Sequence, residues 1–201
     1  MTTCRRVVIM LLFYSSMLFV RSACADATFI IVRHGEKPAQ GLGQLSCQGL
    51  NRALALPRVL LSRYGDPVAI YAPNPAIQKF DKGVPYAYVR PLATIEPLAI
   101  RAGLPVNVNF GMTDIAALAR QLLTQNEGTF VVAWEHHYAE KLAKHLLAAL
   151  GVSPAAVPTW GDMDFDSIYV IRTTGDASGK RQATFTHEHE ELNDLPETCA
   201  E

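Results

Sequence analysis

The sequence predicts an α/β fold, a three-layer α/β/α sandwich in which helices cover both faces of a mostly parallel central sheet. Short apolar runs rich in β-branched residues alternate along the chain with stretches of helical periodicity. Strands that are connected through helices form βαβ units, whose strands run parallel. The 201 residues are 49% hydrophobic, and no linker-like stretch interrupts them. We therefore expect one domain with a substantial core.

Residues 1–25 have the layout of a secretory signal peptide. Arg5 and Arg6 precede an apolar run over residues 7–20, and small residues follow at 23–25. A membrane-spanning helix needs about 20 apolar residues, whereas this run has 14. The sequence therefore predicts cleavage at the end of this segment and a periplasmic or secreted protein.

Cleavage would leave a mature domain at residues 26–201. Its net charge is −4, because three arginines and no acid are lost from a chain of net charge −1. Neither charge indicates a nucleic-acid-binding protein, and we expect no stable membrane insertion of the mature form. An uncleaved anchor and a lipid on Cys24 stay open as alternatives, which the intact mass of the exported protein would distinguish.

Two cysteines, Cys47 and Cys199, belong to the predicted mature domain. Disulfides persist in exported proteins, and a bridge that closes so long a loop would add about 4–5 kcal/mol of stability in the chain-entropy model. Two unrelated free thiols are an equal alternative, which a thiol count before and after reduction would decide.

The first predicted elements are a strand at residues 28–32, a helix at 48–64 and a strand at 68–72. A short continuous apolar run that ends in polar residues is typical of a buried strand. In the helix, apolar residues recur at helical spacing, and Gly65 follows as a C-terminal cap. Pro57 is expected to kink or split this helix.

Residues 76–89 show no clear period and contain lysines, glycine and proline, so we expect a surface excursion that influences the choice of substrate. Lys79 and Lys82 in this segment are candidate contacts for a further anionic group. A threonine or aspartate cap is expected to open the third helix. The remaining predicted elements are helices at 91–102, 113–125 and 139–150 and strands at 129–134, 167–172 and 182–187.

Four basic side chains are expected to meet at one edge of the sheet. Arg33 and His34 follow the first strand directly. His136 comes two residues after a later strand, and Arg90 lies at the entrance to a helix. Ligands of open α/β sheets bind beyond the carboxyl ends of the strands. Because guanidinium groups match phosphate oxygens and a neutral imidazole is able to attack phosphorus, these residues predict a pocket for a phosphate dianion.

The motifs along residues 29–150 occur in the order typical of a known enzyme family. An Arg-His-Gly motif at 33–35 follows the first strand, and Arg90 precedes Thr94 by four positions at the head of a helix. Further matches are Leu45-Ser46, Gly49, Arg52-Ala53, Ala99, Gly103-Leu104-Pro105 and the strand with its histidine at 130–136. The chain therefore resembles the histidine phosphatase superfamily, which includes the cofactor-dependent phosphoglycerate mutases. With its predicted signal peptide it is similar to a small secreted bacterial member.

The resemblance implies a phosphoglycerate-mutase-like fold and a phosphomonoester hydrolase that acts on a small phosphorylated substrate. His34 would be the nucleophile, forming a phosphohistidine that water then hydrolyses. Arg33, Arg90 and His136 would bind the phosphoryl oxygens and stabilise charge in the transition state. His137 would only shape the rim of the pocket. No metal or cofactor is implied, because the arginines supply the positive charge.

The chain departs from the family pattern at the expected proton donor. The family often carries a glutamate after the second helix, whereas residues 105–112 contain no acid. Asp114 and Glu135 are the nearby substitutes, and each is expected to be structural rather than catalytic. Tyr86 stands where the family usually has a serine. Loss of a general acid costs roughly 10²–10⁴-fold in rate, so we expect slow turnover or a restriction to good leaving groups.

The alternative function is a catalytically weak or inactive phosphate-binding module of the same fold. Tight binding of phosphate or vanadate without hydrolysis of any substrate would favour it. Two acidic motifs are interpreted as non-functional. Residues 162–173 lack the glycine and the final glutamate of an EF-hand, and residues 187–191 are typical of a solvated charged segment.

Overall fold

A six-stranded sheet lies at the centre of the computed structural model, which describes residues 26–175 and 181–199. In chain order the strands are β1 (Ala27–Arg33), β2 (Ala69–Tyr71), β3 (Gln78–Asp81), β4 (Val84–Ala87), β5 (Val106–Asn107), β6 (Gly128–Trp134), β7 (Ser167–Gly175) and β8 (Arg181–His189). β3 and β4 form a separate two-stranded sheet, and the other strands follow the order β5-β2-β6-β1-β7-β8. The predicted signal peptide lies outside the described residues.

The central sheet is mostly parallel, as the sequence predicts. β5, β2, β6 and β1 run in one direction. β7 is antiparallel to β1, and β8 is antiparallel to β7. The carboxyl ends of β1 and β6 therefore meet at one edge of the sheet, where Arg33 pairs with Trp134.

Helices cover both faces of this sheet, which confirms the three-layer α/β/α sandwich. The α-helices of the described chain are α1 (Cys47–Tyr64), α2 (Arg90–Ala102), α3 (Ile115–Leu123) and α4 (His136–Ala149), and Pro154–Ala156 add a 3₁₀ turn. α1 and α2 share one core cluster, while α3 and α4 share the other. Within the described ranges, no helix is both long and apolar enough to span a membrane.

Strand β1 contributes to the core on both faces of the sheet. Phe29 and Ile31 pack with α3 and α4, whereas Ile30 and Val32 pack with α1 and α2. All four side chains are fully buried. Because both faces of β1 are buried, its sequence is continuously apolar and does not alternate between apolar and polar residues.

Helix α1 is not split at Pro57, so this part of the prediction is wrong. The helix runs from Cys47 to Tyr64, and Pro57 is buried on its inner face between Leu56 and Leu60. Burial of this face against the sheet outweighs the roughly 3 kcal/mol that a proline costs in a helix interior. Gly65 ends the helix with a φ of 72°, as the sequence predicts.

The surface excursion at residues 76–89 contains a β-hairpin that the sequence analysis does not predict. β3 and β4 pair antiparallel around Lys82 and Gly83, whose φ angles of 52° and 82° fit a two-residue type I′ turn. The two strands are short, and Pro85 interrupts the second, so the alternation typical of a strand is missing. Strand β5, with two residues, is likewise too short to predict.

A buried ion cluster joins α1 to the segment after β8. The guanidinium group of Arg52 contacts Glu36 at 2.7 Å, Glu190 at 2.6 Å and Asp166 at 3.4 Å. One positive charge therefore faces three carboxyl groups in a poorly solvated region. Burial, together with the nearby Asp166 and Glu36, raises the pKa of Glu190 to about 8 although Arg52 opposes the rise.

The raised pKa of Glu190 makes the stability of the fold depend on pH. This side chain titrates near pH 4.3 in an unfolded chain, but near pH 8 in the folded protein. Its contribution to stability is complete below about pH 4 and is lost as the pH rises to about 8. We expect Glu190→Gln to match the wild type in acid and to be more stable by on the order of 5 kcal/mol at pH 8.

Urea unfolding of both proteins between pH 4 and pH 8 measures this difference. Glu191→Gln is the matched control, since the side chain of Glu191 is 82% exposed and the substitution is chemically identical. Parallel pH profiles for the wild type and the Glu190→Gln variant would contradict the prediction.

The structure joins Cys47 to Cys199 in a disulfide, which decides between the two alternatives that the sequence leaves open. The amide nitrogen of the Asn51 side chain donates hydrogen bonds to the carbonyl oxygens of Pro196 and Thr198 at 2.9 and 2.8 Å. The tail is therefore attached to the first turns of α1 by a covalent bond and by hydrogen bonds.

Candidate active site

His34 lies directly after β1 and is 2% exposed. Its backbone N–H donates to the carbonyl oxygen of Trp134 at 3.0 Å, which holds it beside the end of β6. Its ring Nδ1 lies 2.8 Å from the carbonyl oxygen of Gly35. A carbonyl oxygen only accepts, so Nδ1 carries the proton and the lone pair is on Nε2.

The imidazole of His34 is neutral at physiological pH. Burial lowers its pKa to about 3, and the positive charges of Arg33 and Arg90 lower it further. Arg90 contributes to this lowering of the His34 pKa although 56 residues separate the two in the sequence. A buried neutral imidazole with a free Nε2 is the form that attacks an electrophile.

Glycine allows the loop after His34 to approach the start of α1. A Cβ on Gly35 would lie 2.8 Å from the carbonyl oxygen of Gly49, and a Cβ on Gly49 would lie 2.3 Å from that of Glu36. The N–H of Gly35 donates to the hydroxyl of Thr94 at 2.9 Å, and this hydroxyl donates to the carbonyl oxygen of Arg90 at 2.8 Å. The loop is therefore fixed against both α1 and α2.

Arg33 is buried and is oriented by the loop that precedes β7. Its Nη1 donates to the carbonyl oxygens of Gly161, Asp162 and Asp164 at 3.2, 2.8 and 2.7 Å. Its guanidinium carbon lies 3.9 Å from the ring centroid of Phe165. Within the described part of the chain its Nε makes no hydrogen bond. One donor of this side chain is therefore free for an anion.

Arg90 is the first residue of α2, at the helix entrance that the sequence predicts. Its Nε donates to the carbonyl oxygen of Gln44 at 2.9 Å, and its Nη2 forms an ion pair with Asp81 of β3. Burial and the neighbouring Arg33 lower its pKa to about 10, so the group stays charged at neutral pH. Tyr88 packs against it, with the guanidinium carbon 5.3 Å from the ring centroid.

The first turn of α4 supplies His136 and its neighbours. α4 begins three residues before its predicted start, so His136 belongs to the helix. His136 is 8% exposed, while the side chain of His137 is 61% exposed, which supports the choice of His136 as the pocket residue. Nε2 of His136 lies 2.9 Å from Oδ1 of Asp162.

Neither acid that the sequence offers as a proton donor is positioned for that role. Asp114 is exposed, and its carboxylate accepts the N–H of Gly111 at 2.8 Å. Glu135 caps α4 by accepting the N–H of Tyr138 at 3.3 Å. Burial alone would raise the pKa of Glu135, but His136 and its neighbour hold it well below the usual range. Both acids therefore accept hydrogen bonds from backbone N–H groups near the starts of helices.

Lys79 and Lys82 occupy different environments on the hairpin. The ammonium group of Lys79 lies 4.8 Å from the ring centroid of Tyr88, which also packs edge-on against His34 at 6.0 Å. Burial lowers the pKa of Lys79, and Arg90 contributes to the shift. Lys82 is exposed at the turn. Only Lys79 therefore lies beside the candidate site.

Two acidic residues of the site were missed by the sequence analysis. Asp81 pairs with Arg90, and Asp162 faces His136, yet no local motif distinguishes either from a solvated aspartate. A cavity of about 410 Å³ adjoins this region and is large enough for a small molecule. Its lining residues are Glu36, Lys37, Ser46, Gln48, Asp162, Met163, Phe165 and Glu197.

The fold is similar to that of phosphoglycerate mutase from Bacillus anthracis. The TM-score is 0.50 at 12% sequence identity, over 84% of this chain and 95% of that chain. This similarity confirms the phosphoglycerate-mutase-like fold predicted from the sequence. No model of a protein family and no curated protein sequence matches the chain.

Two further solved structures are similar to the chain over most of its length. A protein assigned as phosphohistidine phosphatase SixA from Nakamurella multipartitia has a TM-score of 0.49 at 16% identity, over 82% of this chain and 96% of its own. A phosphoserine phosphatase mutant from Entamoeba histolytica, in complex with phosphoserine, has a TM-score of 0.47 at 13% identity, over 83% of this chain and 98% of its own.

Proposed function

We propose that the protein is a phosphomonoester hydrolase that works through a phosphohistidine at His34. The observation that carries this proposal is the buried neutral imidazole of His34, whose Nδ1 proton is held by the carbonyl oxygen of Gly35 at 2.8 Å. The positive charges of Arg33 and Arg90 both lower its pKa. A nucleophile and two guanidinium groups are the components that phosphoryl transfer needs.

The reaction would proceed in two displacements at phosphorus. Nε2 of His34 forms a bond to phosphorus while the bond to the leaving-group oxygen breaks, and the electron pair departs on that oxygen. Water then attacks phosphorus, the phosphorus–nitrogen bond breaks, and inorganic phosphate and neutral His34 are regenerated. Arg33 and Arg90 neutralise the transferring group, and the N–H of His136 donates to one of its oxygens.

Because neither Asp114 nor Glu135 is positioned as the proton donor, we expect the rate to depend on the leaving group. Without protonation, the departing oxygen carries the full negative charge, so we expect kcat/KM to fall steeply as the pKa of the leaving group rises. Between a nitrophenyl phosphate and an alkyl phosphate, the missing acid alone should cost roughly 10²–10⁴-fold. A series of substituted aryl phosphates measures this slope. Equal rates across the series, with bond cleavage limiting, would require a general acid and contradict the expectation.

Hydrolysis of an aryl phosphate by the purified protein is the first test of the proposed function. We expect release of inorganic phosphate and inhibition by vanadate, which resembles the transferring group. The alternative is a phosphate-binding module without turnover, and it is favoured because neither Asp114 nor Glu135 is positioned as a proton donor. Vanadate binding without hydrolysis of any substrate in a panel of sugar, nucleotide and aryl phosphates and phosphohistidine would support that alternative.

We also propose that the protein acts in the periplasm or outside the cell. The layout of residues 1–25 supports export. The disulfide between Cys47 and Cys199 fits an oxidising compartment. The intact mass of the protein recovered from the periplasm or medium should correspond to residues 26–201, and a full-length mass would contradict cleavage.

A further inference from the structure

We propose that Glu135, His136 and His137 form a binding site for a transition-metal cation such as Zn²⁺, and that the bound metal inhibits the enzyme. One ligand atom from each residue lies within 4.8 Å of the others. Oε1 of Glu135 lies 2.8 Å from Nδ1 of His136 and 3.1 Å from Nδ1 of His137. Two imidazole nitrogens therefore converge on one carboxylate oxygen.

The environment of His136 favours a cation between these atoms. Its Nε2 lies 2.9 Å from the carboxylate of Asp162, and its Nδ1 faces Oε1 of Glu135 at 2.8 Å. Within the described residues this buried Nδ1 forms no hydrogen bond. Nδ1 and Oε1 are both able to act as metal ligands. A metal cation would bind both.

The ligand types and spacings suit zinc better than magnesium or calcium. Two neutral imidazoles and one carboxylate are a common donor set for Zn²⁺, which binds at about 2.0–2.2 Å from each ligand atom. Magnesium and calcium prefer sites composed of oxygen ligands.

Metal binding at this site would remove a group that the proposed reaction needs. Held on the cation through Nδ1, with Nε2 facing Asp162, the ring of His136 could not turn to donate to the phosphoryl group. The inhibition rests on the proposed function, whereas the metal site itself rests only on the geometry of the first turn of α4.

Calorimetric titration of the purified protein with ZnCl₂ tests the site without any need for activity. We expect one Zn²⁺ per chain, no uptake of Mg²⁺, and at least about tenfold weaker zinc binding by His137→Ala. A second pair of histidines, His187 and His189, is a competing zinc site, because its ring centroids lie 4.9 Å apart. If zinc binds at the proposed site instead, His189→Ala keeps the wild-type affinity for zinc. His145→Ala, an exposed histidine on α4, is the matched control.

The assay with an aryl phosphate then tests inhibition. Wild-type turnover should fall with added Zn²⁺ and recover with a chelator. His137→Ala should keep the metal-free rate but lose its sensitivity to Zn²⁺. Absence of zinc binding, or equal affinity of wild type and His137→Ala, would overturn the site. Zinc bound with unchanged turnover would overturn the inhibition, and a protein that binds zinc but hydrolyses nothing would contradict the proposed function alone.

Discussion

Replacement of His34 with alanine is expected to abolish hydrolysis. The variant lacks the Nε2 atom that attacks phosphorus, and removal of a catalytic nucleophile costs on the order of 10⁵-fold in kcat/KM. His34 is buried, so the substitution leaves only a methyl group at the place of the nucleophile. The rate of phosphate release from an aryl phosphate measures the effect.

Two controls separate catalysis from folding in this experiment. His145→Ala changes an exposed histidine of α4 and should keep the wild-type rate. The His34→Ala variant should still bind vanadate, because Arg33 and Arg90 remain, and it should unfold at a similar urea concentration. Comparable rates for the wild type and His34→Ala would eliminate the proposed mechanism.

Loss of the disulfide is expected to have the largest effect on stability. The bond joins residues 152 positions apart, and the chain-entropy model assigns about 5 kcal/mol to a loop of this length. Cys47→Ser, Cys199→Ser and the double variant should therefore all be destabilised by nearly the same amount. Urea unfolding of the oxidised proteins measures the difference.

The reduced wild type provides the matched control for the disulfide. With a reductant, its unfolding midpoint should fall to that of the double serine variant, and two thiols should become reactive in the mature domain. An unfolding midpoint that does not respond to the reductant would contradict a disulfide in the protein. Since Glu197 of the tail lines the 410 Å³ cavity, we also expect reduction to alter the binding of substrates that reach this cavity.

The sheet and its helices are predictable because their signals are local. β1 and β6 are continuous apolar runs, and Gly65 and Gly103 end helices in the positions that the sequence indicates. The rule that ligands bind beyond the carboxyl ends of parallel strands was enough to group His34 with His136. The fold and the histidine pair thus follow from periodicity and topology.

The contacts that complete the site are not local, so the sequence does not reveal them. Asp162 faces His136, 26 residues away, and Asp81 reaches Arg90 only because the chain forms a hairpin. Arg52 and Glu190 are 138 residues apart, and their pairing depends on how α1 packs beside the end of β8. Continuation of α1 through Pro57 likewise depends on tertiary burial, which outweighs the local preference.

The stereochemical course at phosphorus is the most direct test of a phosphohistidine at His34. The substrate is a thiophosphate ester made chiral at phosphorus with two oxygen isotopes, hydrolysis takes place in water that carries the third isotope, and the configuration of the released inorganic thiophosphate is determined. Each in-line displacement inverts phosphorus, so attack by His34 followed by attack by water predicts net retention. Net inversion would mean that water attacks the substrate directly, and it would contradict the assignment of His34 as the nucleophile.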